Sequence, residues 1–376
     1  MKLLVICNDF SYTKVHSNLS RELDEKGVRQ VIYHPLRNEG NIGVNGIEFK
    51  TLNSKIIYSG KLKKHHKFLF ESKVKFLYKD LISKIDPESF TNIYATTLFS
   101  DGTLAYKLFR DYNIPYIVTI RNTDIHIFLK YRPDLKRLAI KILSNASKVI
   151  FISKSNYENF FNHRLIKGAQ HFKQKVEVIN NGIDDFWLEN YYTKGFLHPA
   201  TDILFIGKLD RNKNIINLIR GFQKLKKEQH TIRLNIVGSG GANDSKVREL
   251  AKEDPSIKLY GEINSKEKLL QIFRKNHFFA MVSHRETFGL VYIEALSQGL
   301  PLLFSKDQGI DGTFNEKIGV AVDSNSVNGI YEGLRFLTKN VNQFQQPLIG
   351  RQNFSWENVA NKYFRIFRGS EKQESY

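Results

Sequence analysis

The run Val282-Ser-His-Arg-Glu-Thr-Phe-Gly-Leu-Val-Tyr-Ile-Glu-Ala-Leu-Ser-Gln-Gly-Leu-Pro301 holds the residues best suited to chemistry. It reads as an apolar strand ending near Ser283, a polar elbow with Gly289 in it, and a helix from about Leu290 to Gly299. Glycine there ends a helix readily, and Pro301 opens the next strand. The amides of Thr287, Phe288 and Gly289 would sit at a helix N-terminus, where unpaired N–H groups and the helix dipole favour a phosphate. Glu286 in the elbow and Glu294 in the helix stand eight positions apart, and carboxylates accept well from sugar hydroxyls. A second run, Ile203-Leu-Phe-Ile-Gly-Lys-Leu-Asp-Arg-Asn-Lys-Asn214, reads as strand, glycine turn and helix start. Gly207 would let backbone approach a ligand, while Lys208 and Lys213 would bring positive charge to a diphosphate, with Arg211 a further cation. Taken singly, two such glutamates are a solvated face and the second run a solvated basic loop.

The two runs together resemble glycosyltransferase family 4, whose hallmark is Glu-x7-Glu with Phe-Gly after the first glutamate. Glu286-Thr-Phe-Gly and Glu294-Ala-Leu-Ser-Gln-Gly-Leu-Pro follow that pattern closely. The resemblance implies that Glu286 faces the donor sugar and Glu294 binds the ribose hydroxyls. It implies that Lys208 and Lys213 hold the donor diphosphate and stabilise the departing nucleotide, giving catalytic roles to Glu286, Lys213 and Lys208. Gly207, Arg211, Gly238, Ser283, Thr287, Phe288, Gly289 and Leu290 join Glu294 as donor-binding candidates. Ile236-Val-Gly-Ser-Gly-Gly241 is similar to the family's glycine turn near the nucleotide, Val178–Asp184 to its segment before the hinge, and Phe354–Phe364 to its closing helix. The likeness is good over residues 178–366 and architectural before that. It implies an α/β GT-B fold: two Rossmann-like domains with parallel sheets facing a central cleft, and a C-terminal helix crossing back to the N-terminal domain. It implies retention of anomeric configuration, no cofactor, and a UDP- or GDP-sugar as donor. The expected partners are that nucleotide sugar and a saccharide or lipid-linked saccharide acceptor, as in cell-surface polysaccharide assembly.

Elements able to place such a site alternate along the chain. Lys2–Ile6, Val28–Tyr33, Asn92–Thr96, Tyr116–Ile120, Val149–Ser153 and Val176–Ile179 read as strands, with helical patterns between them. After a linker at about 184–199, Asp202–Ile206, Arg233–Val237, Ile257–Tyr260, Phe278–Val282 and Leu300–Phe304 read as a second series. Parallel strands need crossovers, so the alternation favours parallel sheets with ligands beyond the carboxyl ends of their strands. The expected domains are 1–188 for the acceptor, with helix 355–370 packed back on it, and 199–352 for the donor. A chain of 376 residues exceeds the usual size of one core.

The N-terminal half departs from many relatives. Asn8-Asp-Phe-Ser-Tyr-Thr-Lys14 stands where they carry paired glycines, and Arg121 where they carry His. Asn8, Asp9, Arg121, Asn122 and Asp124, at predicted strand ends, are acceptor-side candidates. For residues 121–124 a capped helix start, with Asp124 as N-cap, is the alternative.

The chain carries a net charge of +19, with +13 in residues 1–170. Lys61–Ile82 combines lysines with Phe70, Val74, Leu77 and Leu81 at helical spacing, and 130–141 reads as a second basic helix. Two readings stand: an anionic membrane surface as partner of the basic N-terminal domain, or a core stripe under solvated lysines. Cys7, the single cysteine, reads as a buried strand residue with no metal-ligand spacing around it; no metal site is expected, and the absence of Asp-x-Asp argues against metal-dependent transferases. No stretch is apolar and long enough to span a bilayer, so a cytoplasmic protein, peripheral at the inner membrane face if the basic helices bind lipid, is expected. Only Ser370–Tyr376 reads as disordered. Two rivals are a nucleotide-sugar epimerase on the same architecture and a basic nucleic-acid-binding protein; the latter explains the charge but not the Glu286–Pro301 run, and no nucleic acid is expected as partner.

Overall fold

The computed structural model describes residues 1–169, 171–193, 195, 200–344 and 351–371. They form two compact units, one of residues 1–152, 156–182 and 356–376, the other of 153–155 and 183–355.

Short apolar runs buried on both faces become strands of a parallel sheet. The first unit has seven: β1 (Lys2–Ile6), β2 (Arg29–His34), β3 (Lys55–Tyr58), β4 (Asn92–Ala95), β5 (Tyr116–Ile120), β6 (Lys148–Phe151) and β7 (Val176–Val178). Their order is β3-β2-β1-β4-β5-β6-β7, every pairing parallel. Side chains alternate faces, so Leu4 and Ile6 enter one core and Leu3 and Val5 the other. The first core is closed by α2 (Phe70–Lys84), α3 (Ser100–Tyr112) and α4 (Lys136–Asn145), the second by α1 (Lys14–Glu25). Thr13 caps α1, its hydroxyl accepting from the Val15 amide. In α2 the stripe Phe70, Val74, Leu77 and Leu81 is buried in the first core. That burial decides between the two readings of the stripe: it is core. The segment 130–141 is not one helix: the preceding helical turns end at residue 131, Pro133 opens a tight turn at Pro133–Leu135, and α4 begins at Lys136. A further helix, α5 (Lys154–Phe161), follows β6.

The second unit begins with a short helix, α6 (Asp185–Glu189), inside the stretch expected as linker; 194 and 196–199 of that stretch lie outside the described residues. Its sheet holds β8 (Asp202–Ile206), β9 (Arg233–Val237), β10 (Ile257–Gly261), β11 (Phe278–Met281), β12 (Leu302–Ser305) and β13 (Gly319–Val322), ordered β10-β9-β8-β11-β12-β13, again all parallel. The crossover helices are α7 (Ile215–Lys226), α8 (Asp244–Glu253), α9 (Lys266–Lys275) and α10 (Leu290–Ser297); α11 (Val327–Asn340) follows the last strand, β13, and α12 (Arg351–Phe354) comes after it. α7 and α11 pack closely enough that a side chain at Gly221 would press on Ile330, 2.7 Å from its Cγ2. The last helix, α13 (Trp356–Glu371), belongs to the first unit: Trp356, Val359, Ala360, Tyr363 and Phe367 enter its second core beside Leu3 and Val5. Residues 372–376, most of the tail expected to be disordered, lie outside the described residues.

The strand order reverses between β1 and β4 in one sheet and between β8 and β11 in the other. In parallel sheets the loops leaving the two strands at such a point diverge to opposite faces, opening a crevice beyond their carboxyl ends.

Candidate active site

In the second unit that crevice is built by the loops after β8, β9 and β11. Lys213 and Glu286, 73 positions apart, meet there: Nζ lies 2.6 Å from Oε2, both side chains more than half buried. The Lys213 amide donates to Asp210 Oδ1 at 2.9 Å, and the Thr287 amide to Glu286 Oε1 at 3.2 Å. The β8 loop is tied to the β11 loop by backbone as well, His284 N donating to Asn212 O and Asn212 Nδ2 to Arg285 O. Asn214, left-handed at the entrance to α7, donates to Val282 O after β11 at 3.0 Å and to Ser324 O after β13 at 2.7 Å. Lys208 and Arg211 are exposed on the β8 loop.

Gly238 must be glycine. Its φ is +137°, and a Cβ there would lie 2.0 Å from Gly207 O, so the turns after β8 and β9 run backbone against backbone. Gly289, at φ +80°, caps α10 where a Cβ would strike the Tyr292 ring at 2.5 Å. Ser283, two residues past the end of β11, is fully buried, its Oγ without a hydrogen-bond partner among the described residues. Leu290 begins α10. Phe288 is a core side chain, buried and stacked on Phe354 with centroids 6.2 Å apart, so only its backbone is available to a ligand.

Glu294 is half-buried in α10. Burial pushes its carboxyl up to about 7; the charge of Asp184 adds to the rise and Lys266 opposes it. Hydrogen bonds from ligand hydroxyls favour the ionised form. A ligand whose hydroxyls donate to this carboxylate would therefore lower its pKa on binding and release a proton at pH values below about 7. Because the folded-state value stands above the unfolded 4.5, ionised Glu294 costs stability as pH rises through that window. Glu294→Gln should thus raise the melting temperature of the free protein at pH 8 and leave it unchanged below about pH 4.

In the first unit the remaining candidates gather at the ends of β1 and β5. Asn8 accepts from Arg37 Nη2 at 2.7 Å and donates to Asp101 Oδ2 at 3.3 Å. Asp9 lies 3.0 Å from His16 Nε2 and accepts from the Cys7 thiol at 3.6 Å. Burial works against ionisation of Asp9, but His16 and Arg121 outweigh it and hold the carboxyl well below the usual range. Folding thus brings three atoms with metal-ligand chemistry, from Cys7, Asp9 and His16, within 4.8 Å of one another, a grouping that spacing around Cys7 did not reveal. Arg121 donates through Nε to Thr96 O at 2.9 Å, and Asn122 accepts from Asn156.

Asp124 points inward. It is fully buried and accepts from the amides of Leu98, Phe99 and Arg121 at 3.1, 3.2 and 2.9 Å. On its own segment it accepts from the Arg121 amide at the helix start, and it also pins the loop before α3, which leaves its carboxylate engaged with backbone. Asp124→Ala leaves three amides without their acceptor, at about 1–3 kcal/mol for each that stays buried, so chemical denaturation should show a loss of about 3 kcal/mol or more. A loss under about 1 kcal/mol would contradict that role.

Sequence reading passed over Asp101. Its Oδ2 also accepts from the hydroxyls of Thr96 and Thr97, and its Oδ1 has no partner among the described residues. Burial, then the charge of Asp9, pushes its carboxyl up to about 7. Lys73, donating to Ser100 Oγ at 2.9 Å, is lowered to about 8 by burial. Asp101 has no motif around it, its one signal being the position after β4, and Lys73 is one of many lysines in the Lys61–Ile82 run with nothing in the sequence to set it apart.

Residues 194–347 match the family model described as glycosyl transferases group 1. The chain is 26% identical over 282 residues to an uncharacterized glycosyltransferase of Methanocaldococcus jannaschii, covering 68% of this chain and 69% of that protein. Its fold matches sucrose-phosphate synthase from Thermosynechococcus elongatus at a TM-score of 0.75, with 17% identity and 100% of both chains covered. The chain is related to glycosyltransferases of the GT-B type. An Anabaena protein solved in complex with UDP and glucose also matches, at a TM-score of 0.68 and 14% identity over 98% of this chain and 100% of that one. With several other curated relatives the shared stretch spans about half of their length, 50% for a Mycobacterium tuberculosis glycogen synthase. The match to group 1 glycosyltransferases takes in the Gly207–Lys213 loop, the glycine turn at Gly238 and both glutamates.

Proposed function

We propose that this chain is a retaining glycosyltransferase of family 4 that moves a sugar from a UDP- or GDP-sugar to a saccharide or lipid-linked saccharide acceptor, without a metal ion. The observation that carries the reading is the Lys213–Glu286 pair at the point where the strand order of the second sheet reverses. A cation and a carboxylate held together there can divide one ligand between them, Lys213 taking the diphosphate and Glu286 the sugar.

In the transfer, the bond between the anomeric carbon and the β-phosphate oxygen breaks, and its electron pair stays on the diphosphate. An acceptor oxygen bonds to the same face of that carbon and gives its proton to a donor phosphate oxygen. Lys208, Lys213 and the amides that open α10 stabilise the charge gathering on the diphosphate, the type of preorganised stabilisation that dominates many enzymes. Arg211 adds a cation at the rim, and Gly207 and Gly238 let the phosphates come close to backbone. Glu294 accepts from the ribose hydroxyls. On the first unit Asn8, Asp9, Arg121 and Asn122 meet the acceptor.

A thermal-shift panel of UDP, GDP and their sugars tests this. A ligand present at 100 times its Kd stabilises the folded state by about 2.7 kcal/mol. At least one nucleoside diphosphate should raise the melting temperature, and Lys208→Ala with Lys213→Ala should remove the rise. A panel without effect on the unaltered protein would sink the proposal.

A further inference from the structure

The lysine-rich region before α2 keeps its helical stripe inside, yet large apolar side chains next to it face outward. Phe68 is 75% exposed and Leu69 56%; on the turns after β5, Ile127 is 48% exposed and Tyr131 62%. The two segments are neighbours. Phe70 meets Phe128 with ring centroids 5.9 Å apart, the Arg132 guanidinium lies 5.8 Å from the Phe70 ring, and Phe128 stacks on Phe99 of α3 at 4.8 Å. Phe70 and Phe128 thus root the segments in the core, while Phe68, Leu69, Ile127 and Tyr131 stand out on a rigid base.

Their surroundings are basic. Between 61 and 84 there are eight lysines against two acids, and between 130 and 141 five cations against one acid, so these two stretches hold more than half of the net +19. Lys61, Lys63, Lys64, Lys67, Lys130 and Lys136 are exposed. Of the nearby acids, Asp134 pairs with Arg132 at 2.6 Å and Glu71 raises its pKa, while Glu39 pairs with Lys61 at 3.1 Å and Asp80 with Lys84 at 3.0 Å. Lys67 lies 5.7 Å from the Phe68 ring and Lys130 5.2 Å from the Tyr131 ring, so each aromatic carries its own cation.

We propose that this patch docks the first unit on an anionic lipid bilayer, with Phe68, Leu69, Ile127 and Tyr131 entering the interface and the lysines meeting the headgroups. Apolar tips under a ring of cations fit that surface, since aliphatic and aromatic groups partition into the acyl boundary and lysine stems reach back to phosphates. A second copy of the chain fits poorly, because self-docking would bring like charge against like charge. Nucleic acid would meet the lysines but has no use for exposed Leu69 and Ile127. The inference does not depend on the transfer chemistry proposed above.

Co-sedimentation with vesicles tests it, using pure phosphatidylcholine and phosphatidylcholine with about 30 mol % phosphatidylglycerol. The full chain should bind the anionic vesicles, ignore the neutral ones, and release as salt rises. Phe68→Ser with Leu69→Ser, and separately Lys64→Glu with Lys67→Glu, should each weaken partitioning by roughly tenfold or more at an unchanged circular dichroism melt. If the unaltered chain leaves anionic vesicles unbound at low salt, or if either altered chain binds as well as it does, the proposal fails. So too would a concentration-dependent dimer, or duplex DNA binding, abolished by the same substitutions while vesicle binding persists.

Discussion

Lys213→Ala is expected to lower the turnover of sugar transfer by roughly 10²–10³-fold, close to abolition, with only a modest change in melting temperature. Removing a preorganised group that meets charge only as the donor bond breaks costs about 3 kcal/mol in the transition state. Lys213 is such a group if the diphosphate displaces it from Glu286, its partner at 2.6 Å in the free protein. Glu286→Ala should lose transfer to a similar extent, since its carboxylate is proposed to face the sugar. Residues that act as a unit are strongly non-additive, so the double variant should be little worse than either single one. Steady-state rates for the four chains check this. Independent losses that multiply, or turnover kept in both single variants, would remove the pair from the chemistry.

Gly238→Ala should be the most damaging small substitution in the second unit. The added methyl would stand 2.0 Å from Gly207 O, and that oxygen belongs to backbone fixed by the Gly207 N to Val237 O hydrogen bond at 3.0 Å. Nothing flexible is available to yield. The turns after β8 and β9 must separate, at an expected cost above about 4 kcal/mol, in the exceptional range for a single substitution. Each kcal/mol lowers the melting temperature of a unit of this size by about 2–4 °C, so a drop of roughly 10 °C follows, with loss of nucleotide binding. Gly240→Ala is the internal control. Gly240 also has a positive φ, +68°, but nothing lies within 4 Å of its would-be Cβ, so backbone strain alone should cost about 1 kcal/mol. Equal melting temperatures for the two variants would show that the close approach is relieved cheaply.

The strands of the sequence reading were those with uninterrupted apolar runs, such as Leu3–Ile6 and Ile203–Ile206. Those runs are legible because a parallel strand buried on both faces has no polar alternation to confuse it. β3 (Lys55–Tyr58) and β13 (Gly319–Val322) were passed over for the opposite reason. Both are four-residue edge strands, bonded on one side only and mostly half-exposed. The stripe of α2 left two readings open because periodicity marks an apolar face without saying what covers it. Phe68 and Leu69, just outside the stripe, carry no periodic signal at all.

Residue type and spacing alone left Lys208, Lys213, Glu286 and Glu294 as a solvated face and a basic loop; the resemblance singled them out as candidates, and it did not reveal the contact between Lys213 and Glu286. That contact exists because β8 and β11 are neighbours in the sheet although five elements separate them along the chain, a fact of topology. Around β1 the position of Asp9 and Arg121 at strand ends was readable, whereas the turn of Asp124 toward the Leu98 and Phe99 amides was not. Asp124 also opens the wide π-helical turns at Asp124–Leu129, which a spacing of 3.6 residues does not anticipate. Cys7, Asp9 and His16 meet only because α1 folds back over the end of β1, and Asp101 enters the same cluster from α3.

The most direct measurement is a crystal structure of the chain soaked with UDP and, separately, with GDP. Bound nucleotide should place its phosphates against Lys208, Lys213 and the amides that open α10, with the ribose on Glu294 and the Lys213–Glu286 contact broken. A nucleotide seated away from the carboxyl ends of β8 and β11, or one that leaves the 2.6 Å pair intact with no phosphate near Lys213, would contradict that placement.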